Sequence, residues 1–411
     1  MLKELFICCS DYQLINSINI KRTMFSKTNS DIVIFNNKVG TFDLADRLQD
    51  TGLFENVFVY SDYFPGLHRY MRGNYEQNTF FGAVRGSLKN IYINLFKYIK
   101  GKEWGLNKKI YNTKTINFSQ YNNLFGVETE SFFGEIIDLI LKYNNCQNNF
   151  IDEGIGCYLS YALNRKHKID NVYLYEPKLA SYKNKSLKII KIPKINVENR
   201  EFINFLNYIF DFKDCYRLNT DGRVIFFDQN THPMPKYLRN AGVVKKFVLR
   251  NAYQKHLKEH LVYENKMKLF EILAQKIKPQ RILVKLHPRS TNDYIDDYKK
   301  CHVNFFSNGF VPWELFVCNY KIKNSIWITM FSSAVCVYDF AIKNNNVDNN
   351  KYIFLYRIVN KISRVKDYEA IDEFFVNFKK LNNEKVFLPN SIEELLSDIS
   401  SITKKESKNL I

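Results

Sequence analysis

Short apolar runs alternate with segments of helical period along this chain, and the alternation occurs twice. The first series opens with Leu5-Phe6-Ile7-Cys8-Cys9, followed by a helix-period segment at 13–25 and a second run at 31–35. A short helix at 42–51 and a third run at 56–60 follow. Parallel strands need crossover connections, and strands covered on both faces read as unbroken apolar runs. Strand, helix, strand, helix, strand therefore predicts a doubly wound parallel sheet. A helix at 64–100, an amphipathic helix at 132–143, and strands at 149–151, 171–175 and 187–192 extend the series. Composition changes at 212–222, where a linker is predicted. The second series has strands at 224–227, 282–286, 326–329 and 352–355, with helices at 263–277, 313–318, 333–342 and 392–399. A chain of 411 residues is too long for one ordinary core. The expected fold class is α/β, with two Rossmann-like domains at 1–216 and 222–411 facing across a cleft. Glycine (15) and proline (9) are too scarce for a β-sandwich with many tight turns.

The net charge of +18 favours anionic partners: nucleic acid, lipid headgroups, acidic glycans or nucleotides. No RRM, KH or helix-turn-helix pattern is present, so nucleic acid is not an expected partner. Residues 84–109 mix Arg85, Lys89, Lys97 and Lys100 with Ile91, Tyr92, Phe96 and Tyr98. That stretch reads as a solvated helix face or as an interfacial helix on anionic lipid. The eight cysteines form no Cys-x-x-Cys pair, which predicts a reduced, cytoplasmic chain without a zinc site. The first apolar run is too short for a signal peptide, and no window approaches the ~18 apolar residues of a membrane span. Membrane contact, where it occurs, is expected to be peripheral.

Three strand ends carry polar groups. Asp152-Glu153-Gly154 follows Phe150-Ile151, His287-Pro288 follows Ile282-Leu283-Val284-Lys285-Leu286, and Ser332-Ser333 follows Ile328-Thr329-Met330-Phe331. Open α/β sheets bind ligands outside the carboxyl ends of their strands. A carboxylate there can act as general base, and a histidine tunable near neutrality can protonate a leaving phosphate. Serines that open a helix can seat a phosphate. Each motif also has an ordinary reading: an acidic turn, a packing histidine, a helix cap. His232-Pro233 is a second such dipeptide in the same chain. Gly154-x-Gly156 lacks the third glycine of a dinucleotide fingerprint and no Walker loop occurs, so no nucleotide cofactor is expected. Asp293, Asp296 and Asp297 stand beside Lys299 and Lys300 and read as an exposed helix face, so no metal is expected.

In combination, an acid pair, then His-Pro, then Ser-Ser, in that order over most of the chain, resembles the two-domain bacterial sialyltransferases. These are the lipooligosaccharide and capsule enzymes of glycosyltransferase family 52 and the related polysialyltransferases. The opening Phe6-Ile7-Cys8-Cys9-Ser10 with Gln13 is similar to the start of family 52, although the usual Thr-Pro-Leu-Gln is Ser10-Asp11-Tyr12-Gln13 here. The resemblance implies the GT-B fold, with an acceptor-binding first domain and a CMP-sugar-binding second domain. It implies inverting, metal-independent transfer of sialic acid from CMP-sialic acid to a glycan or glycolipid acceptor, lipooligosaccharide or capsular polysaccharide. It assigns Asp152 as general base, His287 as acid or phosphate stabiliser, Ser332 and Ser333 to the phosphate and Glu314 to the ribose. Glu153 is the other candidate for the base. A homodimer and attachment at the inner face of the cytoplasmic membrane are compatible with the family. The same residues would serve a donor carrying legionaminic or pseudaminic acid. A CDP-glycerol glycerophosphotransferase shares the two-domain plan and the late His-Pro but gives no reason for the acid pair.

Overall fold

A computed structural model describes residues 3–36, 40–60, 110–111, 116–126, 131–159, 167–182, 187–213, 220–229, 250–287, 292–306, 311–343, 348–360 and 368–408. The chain divides into two compact units, Met1–Lys213 and Asp214–Ile411.

Unit 1 contains, in chain order, β1 (Lys3–Cys8), α1 (Asp11–Met24), β2 (Asn29–Phe35), α2 (Thr41–Asp50), β3 (Asn56–Tyr60) and β4 (Ile110–Tyr111). It continues with β5 (Tyr121–Gly126), α3 (Ser131–Tyr143), β6 (Gln147–Ile151), β7 (Asn171–Leu174), β8 (Lys188–Lys191) and α4 (Arg200–Ile209). The strands form one sheet in the order β4-β3-β2-β1-β5-β6-β7-β8. All its neighbours pair in parallel except β3 and β4. The order runs down from β3 to β1 and then up from β5, so β1 and β5 flank the topological switch point. Burial explains the central strand. Every residue of β1 is inside, including Lys3 and Glu4. Lys3 is paired with Asp31 at 2.9 Å, and Glu4 accepts from Thr28 and Ser30.

Unit 2 contains β9 (Val224–Phe227), α5 (Arg250–Lys276), β10 (Ile282–Lys285), α6 (Asn292–Lys299), β11 (Asn304–Phe305) and α7 (Trp313–Asn319). It continues with β12 (Ile326–Thr329), α8 (Ala334–Phe340), β13 (Lys351–Phe354), α9 (Tyr356–Asn360), α10 (Tyr368–Asn382), β14 (Val386–Phe387) and α11 (Ile392–Lys408). Its sheet order, β11-β10-β9-β12-β13-β14, is parallel throughout. This is the doubly wound order with its switch point between β9 and β12. The helix α5 buries Tyr263, Met267, Phe270 and Leu273, a 3.6-residue stripe, against Val224, Phe226, Ile282 and Val284 of the sheet.

The α/β class with two Rossmann-like domains is thus the observed architecture. Several elements differ from expectation. The strand β5 is not expected from the sequence, because its segment, Tyr121-Asn122-Asn123-Leu124-Phe125-Gly126, is rich in asparagine, a poor strand former. Burial of Tyr121, Leu124 and Phe125 between β1 and β6 overrides that preference. The helices α4 and α10 were also unanticipated, and α5 starts earlier than expected. The expected helix at 64–100, the basic stretch at 84–109 up to its last residue, the centre of the linker, Pro288 and His232-Pro233 lie outside the described residues. Among the described residues no helix is long and apolar enough to cross a membrane.

Candidate functional site

The acid pair follows β6 directly. The Asp152 N–H donates to Tyr173 O at 2.9 Å, so the aspartate continues the ladder to β7. Gly154 then turns the chain at φ 109° and ψ −161°. That region is open only to glycine, which explains the residue type after the two acids. Asp152 is completely buried. Its Oδ1 accepts from the Gly154 N–H at 2.8 Å and from the Tyr12 hydroxyl at 3.4 Å. Its Oδ2 accepts from the Tyr158 hydroxyl and from the Tyr175 N–H at 3.4 Å. Burial pushes the carboxyl up to about 6, against the hydrogen bonds from Tyr158, Gly154, Tyr175 and Tyr12, which pull it down. Burial likewise raises the Tyr158 hydroxyl, reinforced by the charge of Asp152. Glu153, the next residue, is only partly buried. Its charge is felt at the Cys8 thiol at the end of β1.

Helix α1 holds this turn. Tyr12, Asn16 and Asn19 recur at helical spacing on one face. Asn16 Nδ2 donates to Asp152 O at 2.8 Å, and Asn19 Nδ2 donates to Pro193 O at 2.7 Å and to the Tyr175 hydroxyl at 3.2 Å. The Tyr175 hydroxyl in turn donates to Asn16 Oδ1 at 3.0 Å. Ser10 caps the helix by accepting from the Gln13 N–H. The Gln13 carboxamide oxygen accepts from the Cys9 N–H, and its Nε2 is buried without a hydrogen-bond partner. Gln13 stands out in the sequence by its place after the first strand, and the asparagines do not. Their signal was available, because a helix with buried polar residues at regular spacing must point them at something polar.

The remaining expected residues belong to unit 2 and share one edge of its sheet. Phe227 at the end of β9 pairs with Lys285 at the end of β10 and with Thr329 at the end of β12. His287 lies just past β10, partly buried, and Ser332 and Ser333 just past β12, also partly buried. One strand separates the two loops, a span of about 10 Å at ordinary strand spacing. Thr329 ties the serine turn to β9: its hydroxyl donates to Phe227 O at 3.3 Å and accepts from the Ser332 N–H at 3.1 Å. Ser332 Oγ accepts from the Ala334 N–H at 3.3 Å. Ser333 occupies the N-cap position with helical backbone angles and makes no capping hydrogen bond. Its hydroxyl is therefore not engaged in the cap that its position suggested. Glu314 stands in the first turn of α7 at 9% exposure. Its neighbour Trp313 packs edge-on against Phe227 and Trp327, with centroids 4.8 and 5.2 Å apart, which sets the start of α7 beside β9.

Beneath that edge is a pair the sequence reading did not single out. Asp228 follows β9, and its N–H donates to Lys285 O at 2.9 Å. Its carboxylate meets Lys266 Nζ at 2.6 Å with both side chains fully buried, and accepts from the Tyr298 hydroxyl at 2.8 Å. Burial lowers the Lys266 pKa, and Asp228 opposes that shift. A lysine on the apolar stripe of α5 and an aspartate ending an apolar strand were the available signals. Asp296 and Asp297 pair with Lys299 and Lys300 at 2.8 and 2.6 Å. Among the described residues no group of three or more histidine, cysteine, aspartate or glutamate side chains could hold a metal ion.

No protein-family model matches the chain, and no curated protein matches it. Solved structures similar to it include MurG of Acinetobacter baumannii, at 8% identity over 98% of this chain and 90% of that one, with a TM-score of 0.39. Others are S. aureus MnaA with UDP (10% identity, 97% and 91% covered, TM-score 0.40) and the calicheamicin glycosyltransferase CalG4 (8%, 98% and 90%, 0.40). At this level of similarity the assignment of fold rests on the two sheets themselves.

Proposed function

We propose that this chain is a nucleotide-sugar glycosyltransferase, and more finely an inverting sialyltransferase that uses CMP-sialic acid. The observation that carries the reading is the shared carboxyl edge of unit 2. There His287, Ser332 and Ser333 flank β9 at the switch point, with the helix of Glu314 beside them. The acid pair stands at the carboxyl end of β6 in the sheet of unit 1. The acceptor is a glycan or glycolipid hydroxyl.

The donor sugar leaves from a tertiary carbon bearing a carboxylate, so its transition state is loose and oxocarbenium-like. Positioning and charge stabilisation then supply most of the acceleration. The bond from the anomeric carbon to the phosphate oxygen breaks with its electron pair going to CMP. His287 donates to that phosphate, and the serine hydroxyls hold it. Glu314 accepts from the ribose hydroxyls. The acceptor oxygen forms the new bond from the opposite face while a carboxylate takes its proton. The resemblance gives that last role to Asp152. The burial of Asp152 and its four donors support a division of labour within the pair. Asp152 holds the turn, and Glu153, partly exposed on the same turn, takes the proton.

The test is incubation with CMP-sialic acid and a lactose-type acceptor, read by mass spectrometry. Glu153→Gln is expected to lower transfer by about 10²–10⁴ and to leave CMP affinity unchanged. Asp152→Asn is expected to cost less. The opposite ranking returns the base role to Asp152, and transfer from UDP-sugars but not from CMP-sialic acid overturns the sialyltransferase reading.

A further inference from the structure

Among the described residues the large apolar side chains with more than about a third of their surface exposed are Leu141, Ile189, Tyr208, Leu261, Phe331 and Leu381. Five of these stand on helices or on the edge strand β8, where single exposed apolar residues are ordinary. Phe331 differs in place. It lies in the turn between β12 and α8, on the carboxyl edge of the sheet and beside its switch point, with 36% of its surface exposed. It is also the one phenylalanine or tryptophan in that group.

The backbone around the ring is fixed. Met330 is buried at 1% exposure and Thr329 at 0%. The Thr329 hydroxyl joins the turn to β9 through Phe227 O and closes it through the Ser332 N–H. Ser332 then accepts from Ala334. A phenylalanine with about a third of its surface open is thus held on a turn whose two sides are both tied down. A pre-set flat apolar surface loses little freedom when a second flat ring settles on it.

We infer that Phe331 is the platform on which the pyrimidine ring of the donor nucleotide stacks. The inference rests on the donor-site reading above, in which the adjacent Ser332 and Ser333 take the phosphate. A ribose holds base and phosphate about one side-chain length apart, so one ligand can meet the ring at 331 and the hydroxyls at 332 and 333. Every base has a π-face, so stacking here favours nucleotides over sugar phosphates and does not separate cytosine from uracil.

Calorimetry on the full chain tests this with CMP, UMP and ribose 5-phosphate as probes. The ring is partly exposed, and ribose 5-phosphate binding reports whether its removal disturbs the turn. Phe331→Ala is expected to weaken CMP binding about tenfold or more and to leave ribose 5-phosphate binding unchanged, while Phe331→Trp keeps CMP affinity. Unchanged CMP affinity in Phe331→Ala overturns the platform and leaves the donor reading standing. An equal loss for CMP and ribose 5-phosphate also overturns it, because the ring would then serve the turn and not the base. Binding of UMP but not CMP, with UMP weakened in Phe331→Ala, keeps the platform and overturns CMP as the donor nucleotide. A wild-type chain that binds neither nucleotide overturns both.

Discussion

Both oxygens of Asp152 are occupied by donors from unit 1: a glycine N–H and a tyrosine hydroxyl on one, a second hydroxyl and a second N–H on the other. Removing this carboxylate from water costs more than those hydrogen bonds return, so its pKa rises to about 6 from the usual 3.8. The sign of the linked effect on stability follows. Between those values the folded chain keeps a proton that the unfolded chain has released. The stabilisation is full below about pH 3.8 and is lost as pH rises through about 6, a change of about 3 kcal/mol. Urea unfolding of the wild type and of Asp152→Asn across this window checks it. The wild type is expected to lose stability relative to the variant as pH rises, and a constant difference would show that Asp152 titrates at its ordinary value. The acid pair itself was legible as a strand end. Which of its members is enclosed was not, because Tyr12 and Asp152 are 140 residues apart in the chain.

Elements repeat this pattern. Strands buried on both faces, such as β1, β9 and β12, announce themselves as apolar runs, and their carboxyl ends fall where the runs stop. The strand β5 does not, since neighbours on either side supply its burial. Helix α5 shows the same limit: its apolar stripe was readable, but the role of Lys266 within the stripe depends on Asp228 across the sheet. A buried ion pair that loses one member leaves an uncompensated charge. Lys266→Met is therefore expected to destabilise the chain by about 3–5 kcal/mol, and Asp228→Leu combined with Lys266→Met to recover most of that loss. Denaturant unfolding of the two variants checks it. A double variant as unstable as the single one would mean that Tyr298 or the end of β9 needs the carboxylate for itself.

For the whole molecule, the excess of 60 lysines and arginines over 42 acids sets the long-range field. The chain is expected to co-sediment with phosphatidylglycerol vesicles at about 0.1 M salt and to be released at about 1 M, as the screening length falls from about 10 to about 3 Å. Co-sedimentation that resists salt would make the attachment apolar. Charge, strand-and-helix alternation and the three strand-end motifs needed nothing beyond the order of residues, because each is local or additive along the chain. The enclosure of Asp152, the partial exposure of Phe331 and the buried pair of Lys266 with Asp228 needed the folded chain. Each depends on groups brought together from distant segments, and a contact of that kind leaves no periodic trace in either segment alone.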